Sequence, residues 1–180
     1  MVFVKVTLSD GSFVVQSFDV RISDVNEAPL FVSAGSASDY ENDSAVIATA
    51  ATDPDANTIL TYSIIGGADS ALFQISAAGG LSFRAAPNFE TPGDAGGDNI
   101  YDVIVQASDG SLTASQSIAV TVTNVNEAPS STSGAAVSVG ENTTAVQTVL
   151  AGDPEGTALS YSLAGADAAL FQISAAGALS

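Results

Sequence analysis

The chain has 180 residues, 20 of them acidic and only 3 basic, for a net charge of −17. Phosphate backbones need clusters of Lys and Arg, so nucleic acid is excluded as a partner. Cysteine and histidine are both absent, which removes disulfide staples, thiolate and imidazole metal sites, and histidine-based triads. What remains for metal chemistry is oxygen, and repulsion among so many carboxylates is costly unless salt or bound cations screen it.

From Val2 to Ser23 the sequence predicts two strands and one turn. Val4, Val6 and Leu8 alternate with polar residues, and so do Phe18, Val20 and Ile22, which places one set inside and the other in water. Ser9-Asp10-Gly11-Ser12 supplies the turn. The same hairpin recurs as Tyr101, Val103 and Val105, then Ser108-Asp109-Gly110-Ser111, then Ile118, Val120 and Val122. Residues 1–23 are therefore expected to be the last hairpin of a unit that starts further upstream.

The next stretch, Asp24-Val25-Asn26-Glu27-Ala28-Pro29, returns as Asn124-Val125-Asn126-Glu127-Ala128-Pro129, exactly one repeat of 100 residues apart. Each copy joins one β-rich run to another. Its proline has no N–H to continue a strand ladder, and the alanine before it is pushed towards an extended conformation. Residues 24–29 and 124–129 thus read as short, stiff, acidic linkers.

Between them, residues 30–123 are expected to form one complete unit. Candidate strands are Leu30–Ser33, Ala45–Ala51, Ile59–Ile65, Ala71–Ser76, Gly80–Arg84, Ile100–Ala107 and Leu112–Thr123. Turn clusters separate them: Glu41-Asn42-Asp43, Asp53-Pro54-Asp55, Gly66-Gly67, Ala78-Gly79, and a glycine-bearing loop over Thr91–Asn99. About seven short strands in about 100 residues is the pattern of an all-β, immunoglobulin-like Greek-key sandwich. Ser70–Gln74 has room for one helical turn, and the Thr91–Asn99 loop has the composition of a flexible, solvated segment.

Residues 130–180 repeat the beginning of that unit. Gly140-Glu141-Asn142 answers Tyr40-Glu41-Asn42, Asp153-Pro154-Glu155 answers Asp53-Pro54-Asp55, and Ala169–Ala176 is identical to Ala71–Ala78. The chain is expected to be a piece of a tandem array, one complete unit flanked by two partial ones. No apolar run is long enough to span a membrane, and no cationic leader precedes Val2.

The acidic blocks fall at predicted strand ends. In an immunoglobulin-like sandwich the second-to-third-strand loop and the last hairpin turn share one end with the incoming linker. Asp53, Asp55 and Asp109 should then face Asp24, Asn26 and Glu27. Glu41 and Glu90 should lie at the other end, with Asn124, Asn126 and Glu127, and with Asp153 and Glu155 arriving from the third unit. Calcium takes six to eight oxygens from carboxylates, amides and carbonyls in flexible geometry, and these are the donors available. A single Asp or Asn at a turn often does no more than bond nearby backbone N–H groups. The order kept across two units favours a shared purpose.

Glu41-Asn42, Asn88-Phe89-Glu90, Ala107-Ser108-Asp109-Gly110, Asp24-Val25-Asn26-Glu27-Ala28-Pro29 and Thr52-Asp53-Pro54-Asp55 resemble the calcium motifs of cadherin repeats. Their style resembles that of the cadherin-like repeats of large bacterial surface adhesins. That resemblance implies calcium ligands at Asp24, Asn26, Glu27, Asp53, Asp55 and Asp109 for the first joint. For the second it implies Glu41, Glu90, Asn126, Glu127, Asp153 and Glu155. It further implies an exported, non-enzymatic protein at the cell surface, whose partners are calcium ions, neighbouring repeats, and other cell-surface molecules or glycans. The sequence departs from the family pattern at Asn88 and Asn124, where aspartate is usual, and at Glu155, which replaces the second aspartate of its loop. Its linker is also one residue shorter than the common Asp-x-Asn-Asp-Asn-x-Pro form. The alternative left open is a calcium-independent spacer within a secreted enzyme or glycan-binding protein.

Overall fold

The computed structural model describes residues 1–44 and 47–180. Strands β1 (Val2–Thr7) and β2 (Phe13–Phe18) form an antiparallel hairpin with Val2 opposite Phe18. The sequence pattern carried strand character on to Ile22. In the structure the paired strand ends at Phe18, opposite Val2, and Val20 and Ile22 lie outside it. Asp10 accepts the Ser12 N–H at 2.9 Å in the intervening turn.

Residues 30–123 build a two-layer sandwich. One layer holds β4 (Ser36–Tyr40), β7 (Thr61–Gly66), β10 (Ile100–Ser108) and β11 (Thr113–Thr123), in the order β4-β11-β10-β7. The other holds β5 (Ile47–Ala48), β8 (Phe73–Ile75) and β9 (Gly80–Phe83), in the order β5-β9-β8, continued by the pair β3 (Leu30–Phe31) and β6 (Ala51–Thr52). Strict alternation explains the layer contact. Tyr101, Val103, Val105 and Ala107 point inward from β10, and Ile118, Val120 and Val122 from β11. They meet Phe73, Leu81 and Phe83 from the opposite layer. The Phe73 and Phe83 rings stack at 4.5 Å between centroids, with Tyr101 edge-on to both. Gly79 turns the chain between β8 and β9 at φ +85°, where an added Cβ would lie 2.4 Å from the Thr49 carbonyl oxygen.

Four differences from the sequence reading have physical causes. The strand β4 has a small, polar sequence and no apolar alternation; it exists because its backbone runs parallel to β11, Ser36 opposite Ala119. The expected strand Ala45–Ala51 begins at residues outside those described, and the rest divides into β5 and β6. There Thr49 donates to Gly79 while Ala50 accepts from Val32 and Ser33, so the two halves serve different neighbours. The expected strand Ala71–Ser76 is shortened to β8, because the one helical turn expected within Ser70–Gln74 forms as a 3-10 turn over Ser70–Leu72. Finally, the Thr91–Asn99 loop is pinned rather than loosely solvated. Asp69, only 4% exposed, accepts the Ala95 and Asp102 N–H groups, each at 2.7 Å. Asp94 accepts those of Asp98 and Asn99, each at 3.1 Å. Buried carboxylates thus satisfy loop amides that the strand ladders do not reach.

Residues 130–180 keep part of this plan. Strand β12 (Ser130–Ser131) pairs with β14 (Ala151–Gly152), as β3 pairs with β6, and β13 (Gln147–Thr148) pairs with β15 (Ala178–Leu179), as β5 pairs with β9. A 3-10 turn spans Ala168–Leu170, matching Ser70–Leu72.

Candidate metal centres

The second joint is assembled from strand ends. Where β4 stops, Glu41 donates its backbone N–H to the last residue of β11, Thr123, at 3.0 Å. Its side chain, 2% exposed, then bridges two segments. One oxygen accepts the Phe89 N–H at 2.9 Å and the other accepts the Val125 N–H at 2.7 Å. Glu41 therefore ties the linker to the loop that carries Glu90. Asn124 donates to Glu90 at 2.6 Å. Further along the linker, the Glu127 N–H donates to Glu155 at 3.0 Å, so a loop of the third unit meets the end of the second.

The outcome is one group of four carboxylates. Oxygens of Glu41, Glu90, Glu127 and Glu155 all lie within 4.8 Å of one another. Their charges act on each other. Glu127 is pushed up to about 7 by the closeness of its carboxyl to that of Glu155, by burial, and by the Glu41 and Glu155 charges, against the opposing Asn42 contact. The same pairing of carboxyls holds Glu155 below the usual carboxylate range. Burial raises Glu90, helped by the charges of Glu41 and Glu155. Burial also acts upward on Glu41, but the Phe89 and Val125 N–H groups outweigh it and leave the carboxyl below its ordinary value.

The first joint follows the same plan with shorter side chains. The Glu27 N–H donates to Asp55 at 2.9 Å, as Glu127 does to Glu155. Asp24, Glu27 and Asp55 bring oxygens within 4.8 Å of one another. Asn26 donates to Asp109 at 2.7 Å, and Asp53 accepts the Asp55 N–H at 2.8 Å. Glu27 is raised by its hydrogen bond with Asp55, by burial, and by the charges of Asp55, Asp24 and Asp53. Asp109 is lowered by the Leu112 and Ser111 N–H groups and by Asn26.

Not every residue named from the sequence joins a group. Asp153 lies outside the four-carboxylate set and accepts the Thr157 N–H at 3.0 Å. Asn126 donates to the Glu127 carbonyl oxygen at 3.0 Å. Asp109 lies outside the three-carboxylate set of the first joint and accepts from Asn26, Ser111 and Leu112. Conversely, the sequence reading placed Asn42 in a turn and in the Glu41-Asn42 motif but not among the ligands. Its side-chain amide donates to a Glu127 carboxylate oxygen across the joint, a contact between positions 85 apart in sequence that no local signal marks.

A hard divalent cation fits these donors. Among the described residues, Glu90 Oε2, Glu127 Oε2, Glu155 Oε2, Asp53 Oδ2 and Asp55 Oδ1 are buried oxygens without a hydrogen-bond partner, a costly state for a carboxylate. Calcium holds oxygens at about 2.3–2.6 Å, so two ligands of one ion lie at most about 5 Å apart. The carboxylate spacing meets that bound. Glu90, Glu127 and Glu155 with Glu41 would hold an ion at the second joint, and Asp24, Glu27 and Asp55 at the first, while Asp53 lies outside that group.

No protein-family model matches the chain, and no curated protein matches it. Solved structures do. Human protocadherin-24 EC1-2 (form II) is similar over 87% of this chain and 79% of its own, at 23% identity and a TM-score of 0.55. Protocadherin gammaB7 EC3-6 is similar over 97% of this chain and 48% of its own, at 20% identity and a TM-score of 0.55. Protocadherin gamma B2 extracellular cadherin domains 3-6 is similar over 93% of this chain and 46% of its own, at 24% identity and a TM-score of 0.52. The chain has a cadherin-like, immunoglobulin-like β-sandwich fold.

Proposed function

We propose that the chain is a calcium-binding segment of an extracellular tandem-repeat adhesin, bacterial in style, in which ions at each joint stiffen the array into a rod. On this reading residues 1–23 and 130–180 are parts of repeats, 30–123 is a whole one, and 24–29 and 124–129 are the linkers. The observation that carries it is the convergence of carboxylates from a linker and from loops on both sides of it, with buried oxygens that no protein donor satisfies. The cadherin-like fold supports it, and gamma B2, one of the proteins that share it, is described as extracellular.

The physical logic is electrostatic. Carboxylates gathered at a joint repel one another and favour arrangements that separate the two units. A bound divalent ion reverses the sign of the local field and lets both units share ligands. The linker Asn124–Pro129 is six residues long, too short to behave as a flexible coil, so the charges at its ends set the angle between its neighbours.

Small-angle scattering tests the proposal on a chain extended to two whole repeats around Asn124–Pro129. Calcium should increase the maximum dimension and narrow the distribution of angles relative to chelator. Glu127→Gln should restore flexibility at the same calcium concentration. Profiles unchanged by calcium would favour the calcium-independent spacer instead. Magnesium should substitute poorly, because it demands a tight octahedral shell and dehydrates reluctantly.

A further inference from the structure

Asn42 does something at the second joint that its place in a turn does not require. Its backbone lies in the left-handed region at φ +61°, and Asn142, its counterpart one repeat later, is at φ +63°. Asparagine is among the few non-glycine residues that adopt this conformation readily. The consequence is a reversal of the chain directly after Glu41. The Asn42 N–H donates to the Pro87 carbonyl oxygen at 2.9 Å, fixing the turn against the segment that leads to Glu90. The exposed side chain then reaches the linker, and Nδ2 donates to Glu127 Oε1. The other oxygen, Glu127 Oε2, is buried and has no partner. It belongs to the carboxylate that shares the group with Glu41, Glu90 and Glu155.

We propose that Asn42 is a positioning residue for the second joint: it holds Glu127 by one oxygen and leaves the other available to a cation. This rests on the calcium reading above. Adjacent residues then divide the work. Glu41 anchors the linker backbone through the Val125 N–H, and Asn42 orients a linker side chain two residues further on. A carboxylate held by one oxygen gives up less rotamer freedom when it meets an ion than one that swings freely. Partners of metal ligands that do not themselves touch the ion typically change affinity about tenfold or more when removed.

The test is calcium titration calorimetry on the full chain, comparing the parent with Asn42→Gly, Glu127→Gln and the double variant. Glycine accepts the left-handed backbone without strain and keeps the bond to Pro87, so the sandwich should melt unchanged in chelator. Asn42→Gly should weaken the second-joint ions about tenfold and leave the first-joint ions as they are. In the Glu127→Gln background the same substitution should add little, because its route runs through Glu127. Parent-like affinity in Asn42→Gly, or a full tenfold loss that persists beside Glu127→Gln, overturns the assignment. If the parent takes up no calcium, the calcium reading falls, and the contact itself is then judged by nuclear relaxation of the Glu127 amide in chelator. Faster motion in Asn42→Gly upholds the positioning role; unchanged motion overturns it.

Discussion

The two joints share a linker motif and differ in what surrounds it. At the first, Asp24, Glu27 and Asp55 come together on exposed or half-buried positions. At the second, Glu41 is buried and three further glutamates converge on it. Both use the same contact, the linker glutamate N–H donating to the third residue of an Asp-Pro-Asp or Asp-Pro-Glu loop. The difference shows how one motif can serve two degrees of coupling. A joint whose carboxylate is also a structural acceptor for two segments ties its carboxylate group to the integrity of the sandwich. At the first joint Asp55 accepts the linker Glu27 N–H and, among the described residues, no grouped carboxylate accepts from two segments.

Glu41→Ala should break this contrast most severely. It leaves the Phe89 and Val125 N–H groups without their acceptor and opens a buried site, so unfolding in chelator should become easier by about 3 kcal/mol. Glu27→Ala at the first joint should leave the same urea melt unmoved. Equal effects would mean that burial does not separate the two joints.

Next in size is the loss of one class of ions. Asp53→Asn with Asp55→Asn should abolish calcium uptake at the first joint and spare the second, since sites this far apart act additively. Calorimetry showing loss of all uptake, or of none, would assign these residues wrongly. In the parent, a hundredfold excess of calcium over its dissociation constant should stabilise the folded chain by about 2.7 kcal/mol.

A smaller effect separates the joints by pH. In metal-free protein Glu127 is pushed up to about 7, so a nuclear-resonance titration should find its midpoint there. The folded value lies above the unfolded one. Its stabilising contribution is therefore complete below the unfolded carboxylate range and is lost as pH rises through about 7. Urea melts in chelator at pH 5.5 and pH 8 should show that slope, and Glu127→Gln should flatten it. Asp109 at the first joint has its carboxyl lowered, so its contribution runs the other way, present at neutral pH and lost in acid. An absent Glu127 slope would separate the second joint from its carboxylate contacts.

The mildest change is Glu155→Asp, which gives the third-unit loop the chemistry of Asp55. Shortening the side chain should draw its carboxyl away from that of Glu127 and move the Glu127 midpoint down. A midpoint that stays near its parental value would show that the Glu155 contact is not its main cause.

Much of this arrangement was legible in the residues alone. The repeat of 100 residues, the alternation in β10 and β11, and the turn clusters at Asp53-Pro54-Asp55 and Asp109-Gly110 are local signals, because strand period and turn chemistry are properties of neighbouring residues. Local signals also put the carboxylates at strand ends, and a sandwich topology then brought Asp55 to Glu27 and Glu155 to Glu127. The strand β4 was hidden, since its only cause is the edge of β11, 83 residues away at Ser36 and Ala119. The Asp69 and Asp94 contacts that pin the Thr91–Asn99 loop, and the reach of Asn42 to Glu127, were hidden for the same reason.

One octapeptide separates the two kinds of information. Ala71–Ala78 and Ala169–Ala176 are identical in sequence, and each begins in a 3-10 turn, at Ser70–Leu72 and Ala168–Leu170. The turn is thus a property of the sequence itself. Beyond it the copies diverge. Phe73 is fully buried in β8, paired with Phe83 and packed under Tyr101. Within the residues described, Phe171 is 41% exposed and Ile173 bridges Leu179. The strand β8 and its buried ring need β9 beside them and Tyr101 of β10 across the core. Hydrogen-bond ladders and apolar burial are shared between segments, so a segment's own residues determine where it can turn, and its neighbours decide whether it becomes part of a core.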